Sequence, residues 1–109
     1  MKTVIYNKLV RDRIPQIIEE NGQLCETEIL SPERYLKMLD AKLDEELAEY
    51  HQDPSVEELA DLLEVIYAAA AARGYSPDVL DRVRAEKANR RGRFEKRIQL
   101  KRVISPDEG

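Results

Sequence analysis

Two acidic clusters, EELAE at residues 45–49 and EELAD at residues 57–61, lie a short turn apart in the chain. In a helix, side chains three residues apart stack within about 5 to 6 Å at Cβ, where two carboxylates repel unless a cation lies between them. Glu46 and Glu49 stand in that relation, and so do Glu58 and Asp61. Facing one another from two helices, these four carboxylates would make a hard-oxygen cage of the kind that suits Mg²⁺, or Mn²⁺ in its place. A plainer reading fits the same letters. Ser55 to Glu58 spells S-x-x-E, a capping box in which Glu58 reaches back to the Ser55 amide, and acidic residues in a first turn suit the helix dipole. Glu57, Asp61 and Glu64 could equally form a solvated stripe. Spacing alone leaves both readings open.

The elements that would carry these carboxylates are marked by three similar stretches: SPER at 31, DPSV at 53 and SPDV at 76. Ser or Asp can accept hydrogen bonds from the unpaired amides of a first turn, and Pro in that turn loses no bond. These signals predict helices from about Pro32 to Gln52, Ser55 to Arg73 and Pro77 to Arg90, with Gly74 closing the second. IPQIIEENG predicts a short amphipathic helix before them, and LCETEIL alternates as an extended segment does. After Arg91 and Gly92, the stretch RFEKRIQLKRVI fits either an extended or a helical tail.

On the first long helix, Leu36, Leu39, Leu43, Leu47 and Tyr50 form one apolar stripe, with Glu46 and Glu49 on its edge and Glu45 pointing away. On the second, Glu58 flanks a stripe of Leu59, Leu62, Leu63, Ile66 and Ala70. A short connection turns the pair into an antiparallel hairpin and brings both acidic clusters to a similar level. Within LADLLEVIYAAAAA, residues 59–72, only Asp61 and Glu64 are charged. A helix apolar nearly all round belongs at the centre of a bundle or of a subunit interface, and any carboxylate on it needs a reason to be there.

The fold class expected is therefore all-α: a helical bundle around a central antiparallel pair, with short extended N- and C-terminal segments. One domain is expected over residues 1–109, with its core from about 6 to 100 and an end, 105–109, that frays. With no Trp and a single Phe, the core must come from Leu, Ile, Val and Ala, and so small an aliphatic core is marginal alone. A homodimer or homotetramer is expected. The net charge of −4 makes nucleic acid an unsuitable partner, although positive residues gather from Arg82 onward. The lone Cys25 and lone His51 are too few for a structural zinc site. MKTVIYNKLVRDR lacks the apolar stretch of a secretion signal, and no apolar run nears the ~20 residues of a membrane span, so the cytoplasm is the expected compartment.

Taken with their flanks, these motifs resemble the MazG-like, all-α nucleoside triphosphate pyrophosphohydrolase superfamily, whose signature is EExxE followed by ExxD. Here those are Glu45-Glu46-Leu47-Ala48-Glu49 and Glu58-Leu59-Ala60-Asp61. YNKLVRDRIPQII and KANRRGRFEKRI look like a small single-domain branch of it, similar to phosphoribosyl-ATP pyrophosphohydrolase, and the likeness runs from about Tyr6 to Leu100. The superfamily usually has a longer connection between its acidic motifs. The eight residues between Glu49 and Glu58 leave open where contacts to a base would arise.

The resemblance implies Mg²⁺-dependent hydrolysis of a nucleoside triphosphate to the monophosphate and pyrophosphate, in a house-cleaning role on noncanonical or surplus nucleotides. Glu46, Glu49, Glu58 and Asp61 would hold the metal. Glu45 would be a general base, a group behind the ligands, or simply solvated. A triphosphate also needs cations, and the motifs offer Lys8 and Arg11 at one end and Lys87 and Arg91 at the other. Phosphoribosyl-ATP hydrolysis is the alternative reaction. A reading from another class is a non-catalytic helical module, oligomerising through its apolar helix and docking an acidic partner on its basic tail.

Overall fold

Ser31 has extended backbone and accepts a hydrogen bond from the Arg34 amide at 3.2 Å, which starts a helix at Pro32. In the computed structural model, which describes residues 2–107, this is the longest of four α-helices: α1 (Ile14–Glu20), α2 (Pro32–Gln52), α3 (Val56–Ala72) and α4 (Pro77–Arg91). No strand occurs among the described residues. The chain is all-α. Residues 24–30, expected to be extended, form no helix and pair with no strand.

The helix ends follow from local chemistry. Ser55 caps α3 by accepting from the Glu58 amide at 3.3 Å. At the other end Gly74, with φ +89°, occupies the left-handed position of a Schellman motif: its N–H donates to the Ala71 carbonyl and that of Tyr75 to the Ala70 carbonyl. Gly22 closes α1 in the same way, with bonds from Gly22 to Glu19 and from Gln23 to Ile18. A side chain at either position would have to adopt a φ that costs L-residues energy.

The backbone divides into two units, one running to Pro77 and the other from Asp78 onward. In the first, α2 and α3 pack against each other as a helical hairpin. Leu39 and Val65, at 2% and 9% exposure, are the buried apolar side chains of this pair. The rest of the two predicted stripes is only partly covered: Leu47, Leu59, Leu63 and Ile66 remain 37 to 47% exposed in the single chain. Thus α3, expected at the centre of a bundle or of a subunit interface, keeps much of its apolar surface open in the single chain.

In the second unit, the Gly92 amide bonds back to Ala88, and the chain then turns at 94–97 through Arg97, whose φ is +57°. The tail is thereby settled as neither helix nor strand through Asp107. Of the end expected to fray, residues 108 and 109 lie outside the described residues. No helix among the described residues is long and apolar enough to cross a membrane.

Candidate metal centre

The hairpin brings carboxylates from both helices together. One oxygen from each of Glu46, Glu58 and Asp61 lies within 4.8 Å of the other two. Glu46 comes from the C-terminal half of α2, and Glu58 and Asp61 stand one turn apart at the start of α3. The three residues can hold a metal ion: all donors are carboxylate oxygens, drawn from both helices into one small group.

Burial distinguishes this cluster from a solvated acidic face. Glu46 is 6% exposed, and its Oε2 is buried without a hydrogen-bond partner, as is Oε2 of Glu58. An uncompensated buried carboxylate oxygen is costly, and a cation seated in the triangle would compensate both. Their acidities record the strain. Loss of solvation raises the Glu46 pKa above the usual carboxylate value, and Glu49 raises it further, against the lowering effect of Lys42. Loss of solvation also raises that of Glu58, helped by the negative charges of Asp61, Glu46 and Asp53.

Of the four expected ligands, Glu49 stands apart. It is exposed and outside the triangle, and its negative charge adds to the upward shift at Glu46. The capping reading of Glu58 is half realised. Ser55 accepts from the Glu58 amide, but the Ser55 amide donates to the Asp53 carbonyl at 2.7 Å, so the Glu58 carboxylate is free of that duty.

Cations surround the triangle. Lys42 places its ammonium 3.2 Å from Glu46 Oε1 and 3.3 Å from Glu45 Oε1. Burial alone would lower the Lys42 pKa, but the two carboxylates outweigh it and the value is raised. Lys8, which follows Asn7 at the left-handed φ of +46°, donates to the same Glu45 oxygen at 3.2 Å. For Glu45, desolvation acts upward, yet Lys8 and Lys42 prevail and hold the carboxyl below its ordinary range. A carboxylate held low is a weak base, so this position suits anchoring Lys42 better than taking a proton. Glu45 is not one of the three triangle residues, but Lys42 ties it to Glu46. Arg11 donates to Asp61 Oδ1 at 2.7 Å.

Lys8 and Arg11, expected to grip phosphate, thus rest on acidic residues of α2 and α3. Lys87 and Arg91 lie on α4, and Arg91 lines a shallow recess with Gly92, Arg93, Glu95, Lys96 and Ile98. Lys42 is the site residue that the motif reading passes over. Its signal was present in the spacing, since it stands three residues before Glu45 and four before Glu46 on one helix face.

No protein-family profile matches the chain, and no solved structure matches it. A stretch of 42 residues, 38% of this chain, is 52% identical to an uncharacterized protein of Mycolicibacterium smegmatis. The match spans 43% of that protein, under half its length.

Proposed function

We propose that this chain is a divalent-metal-dependent nucleotide pyrophosphohydrolase of the MazG-like kind, cleaving a nucleoside triphosphate between its α and β phosphates. The observation that supports this most directly is Glu46: a carboxylate more than nine-tenths buried, with one oxygen unpaired, and grouped with Glu58 and Asp61 within 4.8 Å. Nothing in a metal-free interaction module calls for that arrangement.

Glu46, Glu58 and Asp61 hold the cation, and Glu49, one turn along α2 from Glu46, is the further ligand that the motif implies. Mg²⁺, or Mn²⁺ in its place, would supply charge neutralisation on the phosphates and a lowered pKa for an attacking water. The protein's own cations do the rest. Arg11 and Lys8 stand at the rim on exposed side chains, where a phosphate can draw them from their carboxylate partners. The exposed apolar face of α3 supports assembly into a homo-oligomer, in which a second copy covers Leu59, Leu63 and Ile66.

The test is a panel of canonical, deoxy and modified triphosphates plus phosphoribosyl-ATP, with released pyrophosphate as the readout. Activity that requires Mg²⁺ and is lost in Glu46→Gln and Asp61→Asn is the expected result. A folded protein, inert against the whole panel and unchanged in thermal stability by Mg²⁺ and Mn²⁺, leaves the helical interaction module as the better reading.

A further inference from the structure

Each end of the carboxylate triangle is already half occupied by a protein cation. Lys42 takes Oε1 of Glu46 at 3.2 Å, and Arg11 takes Oδ1 of Asp61 at 2.7 Å. The two contacts differ in strength. The Arg11 and Asp61 side chains are 57% and 41% exposed, whereas those of Lys42 and Glu46 are 15% and 8%. A pair so shielded from water is not screened away, and separating it leaves a largely buried ammonium short of a partner.

Resting on the metal-centre reading above, we propose that Lys42 determines which cation the site accepts, by restricting Glu46 to a single metal-binding oxygen. With Oε1 held by Lys42, Glu46 offers Oε2, the oxygen that has no hydrogen bond. Ca²⁺ takes six to eight oxygens at about 2.3–2.6 Å and commonly grips a carboxylate through both oxygens. Mg²⁺ and Mn²⁺ favour six-coordinate sites, and single carboxylate oxygens completed by water or phosphate serve them well. Bidentate binding by Glu46 would put the cation against Oε1 and strip Lys42 of one of its two carboxylates. The ammonium would then face the incoming charge with Glu45 as its remaining ion-pair partner. Lys42 is a positioning residue in this scheme: it touches the ligand and not the metal.

The experiment is calorimetric titration of the full chain with Mn²⁺ and with Ca²⁺, for the wild type, Lys42→Met, Lys42→Gln and Glu45→Gln, with helicity checked by circular dichroism. Removing the Lys42 charge should strengthen binding of both cations, so the ratio of affinities is the informative quantity. The wild type should favour Mn²⁺, and in Lys42→Met or Lys42→Gln the ratio should fall about tenfold, a scale on which groups behind a ligand alter metal affinity. Glu45→Gln leaves Lys42 on Glu46 and should keep the wild-type preference. A folded Lys42 variant with an unchanged ratio overturns the proposal. So does a wild type that binds Ca²⁺ as tightly as Mn²⁺, an outcome that needs no variant to fold. A wild type that binds neither ion removes the metal centre itself, and this proposal with it.

Discussion

The Arg11 guanidinium donates to Asp61 Oδ1 at 2.7 Å across fifty positions of sequence, joining the N-terminal arm to the first turns of α3. Both side chains are about half exposed, so the bond contributes little to folding, about 0 to 1 kcal/mol. Arg11→Ala should therefore leave the urea midpoint within about 1 kcal/mol of wild type. If the same guanidinium moves to a phosphate, the variant should lose nucleotide affinity by about tenfold or more, seen as a rise in KM at saturating Mg²⁺. Equal KM values would remove Arg11 from the substrate's contacts.

Glu46 should behave in the opposite way. Glu46→Gln keeps an acceptor for Lys42 but removes a charge that the metal-free protein buries at a cost. Its thermal midpoint in the presence of a chelator should match or exceed that of wild type, by up to about 1 kcal/mol at the transition. Addition of Mn²⁺ should then raise the wild-type midpoint and leave that of Glu46→Gln unmoved. Scanning calorimetry with and without metal makes the comparison.

The same strain gives a pH signature. Folded-state pKa values above the unfolded ones mean that the folded protein binds protons more tightly at Glu46 and Glu58. Their contribution is fully present below the unfolded value near 4.5 and is lost as pH rises through the folded values. Glu45 acts in reverse, but its stabilisation is complete above 4.5 and falls away only at lower pH. Between neutrality and about pH 5, the metal-free wild type should gain stability relative to a Glu46→Gln, Glu58→Gln double variant as pH falls. Saturating Mn²⁺ should reverse that trend, because protons then compete with the metal.

The open apolar face of α3 makes assembly measurable. Leu63 is 46% exposed and Ile66 37% exposed in the single chain, and Leu39 and Val65 alone give the hairpin little buried core. Tenfold dilution should lower the thermal midpoint, as it does whenever folding and association are one process. Leu63→Arg should shift sedimentation toward the monomer and reduce helicity. A midpoint independent of concentration would show that the hairpin stands without a second copy.

The elements were legible where local chemistry set them. Ser31-Pro32 and the Gln52-Asp53 boundary marked α2 to the residue, and Ser55 and Arg73 proved to be the caps of α3 rather than its first and last turns. The i to i+3 spacing placed Glu58 and Asp61 together, because one helix fixes that geometry alone. The exclusion of Glu49 from the triangle depends on how α2 is rotated against α3, which is set by packing and not by spacing. The contacts of Lys8 with Glu45 and of Arg11 with Asp61 span 37 and 50 residues, and no periodicity reports on them. Lys42 was readable in principle. Among so many acidic neighbours its charge looked like surface balance.

Lys8 rests on α2 and Arg11, three residues later, on α3, so a short irregular arm bridges both walls of the hairpin through two exposed ion pairs. Its attachment is electrostatic and answers to whatever competes for those charges. Salt, metal and polyanion should each loosen it, and trypsin, which cuts after Lys and Arg, then finds two scissile bonds that the ion pairs had kept still. The rate at which the first eleven residues are clipped becomes a footprint of what occupies the carboxylate triangle, read on a gel without any substrate being turned over.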